Sequence, residues 1–204
     1  MDTLSARPGL DRRKIRVLGV DPAVSGATGY GVIESDGKRA RLMRFGALRL
    51  PKTATFAARL REMHFLISGL VGQFSPDAVA VESVFTALNM STALKLAEMR
   101  GVVLLAAAQA RIPAHSYSPR EVKATVAGYG AATKEQIQQM VKSLLDLPFC
   151  PEPADAADAL AVALCHAQIS RARLRMAAAI GGARAAGRGG GNSRSPRISI
   201  PRGR

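Results

Sequence analysis

The chain has 204 residues, 48% of them hydrophobic, with two cysteines and a formal charge of +14. That length suits one domain with its own core, and so few cysteines exclude a disulfide-built scaffold and fit a reducing compartment such as the cytoplasm. The longest apolar stretch, Gly101–Ala110, falls well short of the roughly 20 residues of a membrane span, and Met1–Lys14 is too polar for a secretory leader, so no membrane association is expected.

Residues 1–14 carry no apolar pattern and are expected to be a disordered extension. Ile15–Val20 (IRVLGV) is a short apolar run that ends at Asp21, as a buried strand does. Thr28–Glu34 and Arg41–Leu50 predict two more strands, and Asp36-Gly37 between them is a hairpin turn signal. The first three strands are therefore expected to form an antiparallel meander. Phe56, Leu60, Met63, Ile67 and Leu70 recur at helical spacing and predict a helix over Thr55–Phe74. Pro76-Asp77 breaks it, and Ala78–Val81 predicts a fourth strand that ends at Glu82. Ser91–Ala110 predicts a long helix with a possible break at Gly101, and Ala114–Tyr117 a fifth strand.

Helix starts are legible in the C-terminal half. Ser118-Pro119-Arg120-Glu121 supplies an N-cap serine, a proline at the first helical position and a glutamate at the third. Thr133-Lys134-Glu135-Gln136 repeats that logic with glutamine. Pro151 and Pro153 introduce a last helix, expected over Ala154–Arg173. Residues 174–204 lack a pattern that could bury apolar area and are expected to be a disordered, basic Gly/Arg-rich tail. The charge excess sits at the ends: residues 171–204 hold nine arginines and no acid, whereas residues 17–170 hold 15 basic and 13 acidic side chains. The element order predicts one α/β domain over residues 15–173, with a mixed five-stranded sheet flanked by helices.

Four acids stand where chemistry can be built. Asp21 and Glu82 end strands, and ends of neighbouring strands converge on one rim of a sheet. Asp155 and Asp158 are three apart at the start of the last helix, which puts them on one face. A strand-end acid is often only a turn residue, and Asp155 alone would suit the positive end of a helix dipole. Two acids in an otherwise alanine-rich helix, however, repel unless a cation offsets them. Hard oxygen ligands suit magnesium, and a pair of divalent cations can activate water and spread the charge of phosphodiester hydrolysis. Lys123 and Lys134 lie in early turns of their helices, where the dipole disfavours a cation, which points to a phosphate contact rather than a solvated lysine. Lys95 and Arg100 rank below them, because their helix needs a charged face in any case. Gly29 and Gly31, close to Asp21, either admit a DNA strand or serve sheet packing. Phe85, three residues after Glu82, is by its position a core side chain at a strand-to-helix turn. Cys150, Cys165 and His166 match no common zinc spacing.

The blocks GVDPAVSGATGYGVIE, AVAVESVFTALNMSTALKLAEMRGVVL, REVKATVAGYGAATKEQIQQMV and ADAADALAVALCH, in this order, resemble the RuvC family of Holliday-junction resolvases over about residues 15–170. The resemblance implies a ribonuclease-H-like fold and paired symmetric nicks in four-way junction DNA that leave 5′-phosphate and 3′-hydroxyl ends. It implies a homodimer, two Mg2+ per active site (replaceable by Mn2+), and work alongside the RuvA and RuvB branch-migration complex. Its catalytic and metal-binding acids fall on Asp21, Glu82, Asp155 and Asp158. Its basic residues for DNA engagement fall on Lys123 and Lys134, the latter also catalytic, and its DNA-inserting aromatic falls on Phe85. One departure is that Ala23 stands where the family usually has glycine, in a loop one residue longer. Two other readings compete. An actin-like ATPase or sugar kinase needs a glycine-rich phosphate loop that Pro22–Gly26 does not supply, and a non-catalytic junction- or RNA-binding protein of the same fold would lack the acids.

Overall fold

A computed structural model describes residues 14–24, 26–83 and 89–187, with side chains described through residue 180. The elements are β1 (Ile15–Asp21), β2 (Thr28–Ser35), β3 (Ala40–Leu48), α1 (Phe56–Phe74), β4 (Ala78–Glu82), α2 (Met90–Gln109), β5 (Ala114–Tyr117), α3 (Pro119–Ala127), α4 (Lys134–Leu144) and α5 (Ala154–Gly187). The strands form one five-stranded sheet in the order β3-β2-β1-β4-β5. β1 pairs antiparallel with β2, and β2 antiparallel with β3, as the meander expectation had it. β1 pairs parallel with β4, and β4 with β5, so the sheet is mixed.

β1 sits at the centre and is covered on both faces, which is why Val17–Val20 reads as an apolar run rather than an alternating one. Alternation still sorts its side chains. Leu18 and Val20, with Val79 and Val81 of β4, pack under α1 and α2 through Met63, Ile67, Met99 and Val103. Val17 and Ala80 face the other way, into a core built by α3, α4 and α5 with Val122, Val141 and Leu160. The fold is thus a sheet between two helical layers.

α5 is held unusually close to the sheet. A Cβ on Gly19 would collide with the carbonyl oxygen of Ala159 and the backbone nitrogen of Ala163. A Cβ on Gly29 would collide with the carbonyl of Asp155, and one on Gly31 with the Leu160 side chain. These glycines floor a channel for α5, so Gly29 and Gly31 serve helix packing. The helix answers with small residues: Ala156, Ala157, Ala159, Ala161 and Ala163 are all buried.

Both capping boxes form as the sequence predicts: Ser118 with Glu121, and Thr133 with Gln136. α2 starts one residue earlier than the periodicity indicated, because the Asn89 side chain caps it by accepting from the Thr92 N–H at 2.9 Å. It runs through Gly101 unbroken. α5 continues past the expected stop at Arg173 to Gly187. The sequence reading ended it where apolar spacing ended, but the alanines at 177–179 favour helix without a buried face.

The chain divides into two compact units at Arg171/Ala172. In the second, residues 172–180 are helical and exposed. Among the described residues no helix is long and apolar enough to cross a membrane.

Glycine substitutions test the channel. Gly19→Ala is expected to destabilise the fold by roughly 1–3 kcal/mol or more through overpacking. Gly72→Ala on α1, where a Cβ would meet nothing within 4 Å, is expected to stabilise by about 0.5–1 kcal/mol through helix propensity. Urea denaturation of both variants provides the measurement, and equal effects at the two positions would contradict the channel.

Candidate active site

Asp21 closes β1 and Glu82 closes β4, and Val20 is the parallel partner of Val81 in the register just before them. The strand period carries Asp21 to the face of Val17 and Gly19, and Glu82 to the face of Ala80. Both acids therefore point to the layer that holds α5. Asp158, in the second turn of α5, reaches the same place because the glycine channel lets the helix lie on the sheet. Asp155 stands one turn earlier, in the first turn of α5.

The acids meet in a cleft of about 210 Å³, lined by Asp21, Glu82, Asp158, Lys123 and Lys134 among others. Val122 and Ile137 form its apolar wall. The capping boxes of α3 and α4 fix where Lys123 and Lys134 leave the backbone. Lys134 is the first residue of α4, at the positive end of the dipole. Its ammonium reaches across to the acids and lies 2.8 Å from an Asp158 carboxylate oxygen. That contact, with the further attraction of Asp155 and Asp21, raises its pKa.

The electrostatics are severe. Burial pushes the Asp21 carboxyl up to about 9, helped by the charge of Glu82, a hydrogen bond between the two groups, and the charges of Asp158 and Asp155. Glu82 is also raised, chiefly by burial and then by Asp158, against the lowering effect of the hydrogen bond from Asp21 and of Lys123 and Lys134. The two carboxyls thus share a proton, with Asp21 donating to Glu82.

The donors are hard oxygens, crowded and largely withdrawn from water, and this suits a hard divalent cation. In the described residues no three His, Cys, Asp or Glu side chains already stand together as a ligand set. Two pairings hold the acids instead: Asp21 with Glu82, and Asp158 with Lys134. A cation binding here must displace a proton from the first pair and an ammonium from the second.

The remaining expectations divide. Asp155 acts on Asp21 through its charge but is not among the residues that line the cleft. Phe85 lies outside the described residues. Arg100 donates to the Ser116 hydroxyl, which ties α2 to β5, and Lys95 is exposed on α2. Cys165 and His166 form no metal site: the thiol is buried and pushed up to about 11, chiefly by burial. The His166 ring nitrogens engage the Tyr117 hydroxyl at 2.8 Å and the Ser170 hydroxyl at 3.0 Å. In the loop after β1, the Ala23 N–H donates to the Thr28 hydroxyl at 3.2 Å. The apolar wall from Val122 and Ile137 went unnoticed in the sequence, although both sit on the buried stripes of amphipathic helices.

Comparisons with known proteins point one way. The family model for crossover junction endodeoxyribonuclease RuvC matches residues 17–166. The chain is similar to the RuvC of Natranaerobius thermophilus, with 44% identity over 160 residues that cover 78% of this chain and 99% of the relative. It is similar to the solved structure of Thermus thermophilus RuvC, with TM-score 0.71, 36% identity, and coverage of 77% of this chain and 96% of that one. The complex of T. thermophilus RuvC with Holliday junction substrate gives TM-score 0.70 at 32% identity, covering 77% of this chain and 95% of that one.

The shared proton has a stability consequence. Asp21 titrates at about 9 in the folded metal-free protein and near 3.9 when unfolded. Between those values the folded state binds the proton more tightly, so metal-free stability is highest below the unfolded pKa and falls as pH rises toward the folded one. Asp21→Asn removes this loss. In chelator, the variant should gain on the wild type by on the order of 1 kcal/mol per pH unit between pH 5 and pH 8. Thermal melts at both pH values check this, and a variant no more stable than wild type at pH 8 would count against the buried carboxyl pair.

Proposed function

We propose, because this chain belongs to the RuvC family of crossover junction endodeoxyribonucleases, that its acidic cleft resolves Holliday junctions by paired symmetric nicks. Each nick is a phosphodiester hydrolysis that leaves a 5′-phosphate and a 3′-hydroxyl. In this reading residues 15–173 are the nuclease domain, residues 1–14 and 174–204 are extensions to it, and the work is done in the cytoplasm. The observation that carries it is the meeting of Asp21, Glu82 and Asp158 with two lysines in one cleft.

Asp21, Glu82, Asp155 and Asp158 would hold two Mg2+ per site, with Mn2+ as a substitute. When bound, such ions activate water and neutralise charge at the reacting phosphate. The chain's own groups do the rest. The Asp21–Glu82 pair would lose its shared proton to solvent, and both side chains would then be available as ligands. Asp158 leaves Lys134, which frees that ammonium to meet the phosphate and stabilise the charge that develops on it. Lys123 holds the neighbouring backbone phosphate, and Phe85 stacks on a base near the junction centre.

Two-fold symmetric nicks need two copies of the cleft. A homodimer is supported by the outer face of α2, where Leu94, Gly101, Leu105 and Ala108 follow one another at helical spacing and are all exposed. On the neighbouring α1, Phe65 is 62% exposed. This stripe is the patch by which a second copy would pair. By family resemblance, the RuvA and RuvB branch-migration complex delivers the junction.

Two experiments test the reading. Asp21→Asn should lower the cleavage rate of a synthetic four-way junction in Mg2+ by at least about 1,000-fold while junction binding persists. Cleavage at wild-type rate would remove Asp21 from the site, and binding without cleavage by the wild type in both Mg2+ and Mn2+ would favour a non-catalytic binder. Leu105→Glu should sediment as a folded monomer and make uncoordinated single nicks. A variant that stays dimeric would place the interface elsewhere.

A further inference from the structure

The strip Pro119–Lys134 runs from α3 through the α3–α4 loop to the start of α4. It holds three cations, Arg120, Lys123 and Lys134, and one acid, Glu121. The Glu121 carboxylate is engaged by the Ser118 N–H at 2.8 Å and the Ser118 hydroxyl at 2.7 Å, so positive charge prevails along the strip. Tyr129 stands in the loop with 47% of its surface exposed. An aromatic side chain set among cations is the composition of a nucleic-acid surface, although composition alone would also suit a solvated loop residue.

The anchoring of Tyr129 decides between these. A surface tyrosine ordinarily buries its ring and leaves its hydroxyl to water. Tyr129 does the reverse. Its hydroxyl donates to the Gln136 side-chain oxygen at 2.5 Å, the same oxygen that accepts the Thr133 N–H at 2.8 Å in the α4 capping box. The ring is left half in solvent. The loop beneath it is fixed at several points. Gly128 turns with φ 86°, a conformation that favours glycine. A Cβ on Gly130 would stand 2.8 Å from Arg120 Cγ, and Ala132 is buried in the core. A ring held in this way loses little freedom when a ligand covers it.

The anchors also give its place. Gln136 adjoins Ile137 and Arg120 adjoins Pro119, and both Ile137 and Pro119 line the acidic cleft. Tyr129 does not line the cleft itself, so its ring stands at the rim. A protein partner would seek further apolar surface around the ring. The exposed residues beside it are instead Gly128 and Ala131, with Arg120 across the loop. A planar, charged ligand fits this setting better, and a nucleotide is both.

We propose that Tyr129 is a DNA-contacting residue of this cleft, whose ring stacks on a nucleobase of the strand lying there while Arg120 meets a phosphate beside it. This contact rests on the nuclease reading for the identity of its ligand, and adds to the residues which that reading uses.

The experiment uses the full chain and a synthetic four-way junction in Ca2+. The chain contains no tryptophan, so Tyr129→Trp places a single fluorophore at the rim. Its emission should be quenched as the junction saturates the protein. Junction affinity should fall roughly tenfold or more in Tyr129→Ser, and far less in Tyr129→Phe, which keeps the ring and lacks the hydroxyl. A Tyr129→Phe variant as weak as Tyr129→Ser would make the residue a prop for the α4 capping box and overturn the proposal. Wild-type affinity in both variants, or unchanged Tyr129→Trp emission on bound junction, overturns it as well. Cleavage by the wild type in Mg2+ is measured alongside. A wild type that binds without cutting sinks the nuclease reading, and the quenching still decides on Tyr129.

Discussion

Carboxyl groups crowded into a half-buried cleft repel one another, and much of the structure answers to that repulsion. Asp21 keeps a proton that an exposed aspartate would lose. Glu82 accepts it, and Lys134 stands against Asp158 as an internal counter-ion. Neither arrangement removes the cost of desolvation; each only reduces it. A fold selected for stability alone would place apolar side chains at these positions. The cluster is held together by a proton at one end and an ammonium at the other.

The rest of the scaffold keeps this strained group together. The central strands carry their acids at neighbouring ends because β1 and β4 run parallel and in register. The third acid arrives on a helix that would stand too far from the sheet if it met ordinary side chains. Gly19, Gly29 and Gly31 remove those side chains from the sheet, and the alanines of α5 remove them from the helix. Glycine in a strand costs stability, and so does a helix with little to bury except methyl groups. Both are explained by the need to bring the backbone near Asp155 and Asp158 onto the sheet beside Asp21.

Local chemistry is legible in the sequence, and long-range pairing is not. Strand ends at Asp21 and Glu82 follow from apolar runs that stop, and the α3 and α4 starts follow from capping boxes, because both signals act within a few residues. The Lys134–Asp158 contact joins residues 24 positions apart, and no periodicity encodes it. The role of Gly29 and Gly31 stays open in the sequence for the same reason: what approaches them is the Asp155 backbone and the Leu160 side chain of α5, more than 120 residues downstream. Gly101 was read as a possible break by propensity alone, yet packing of Met99 and Val103 on either side carries the helix through. The end of α5 was misread in the opposite way, by requiring a buried face where alanine propensity suffices.

α5 shows how one element can serve two electrostatic purposes. Its first two turns hold Asp155 and Asp158, and no acid follows them; the arginines at 171, 173, 175 and 184 fall in its C-terminal half. Acids near the N-terminus and cations toward the C-terminus both agree with the helix dipole. The dipole therefore stabilises both the carboxylates at the start of the helix and the arginines toward its end. Between them lies a segment buried on every side, from Ala159 to Ala167, whose alanine content reflects the sheet beneath it and not the charge at either end. The same helix can thus hold acids at its start and carry arginines into solvent, because the two demands act on different turns.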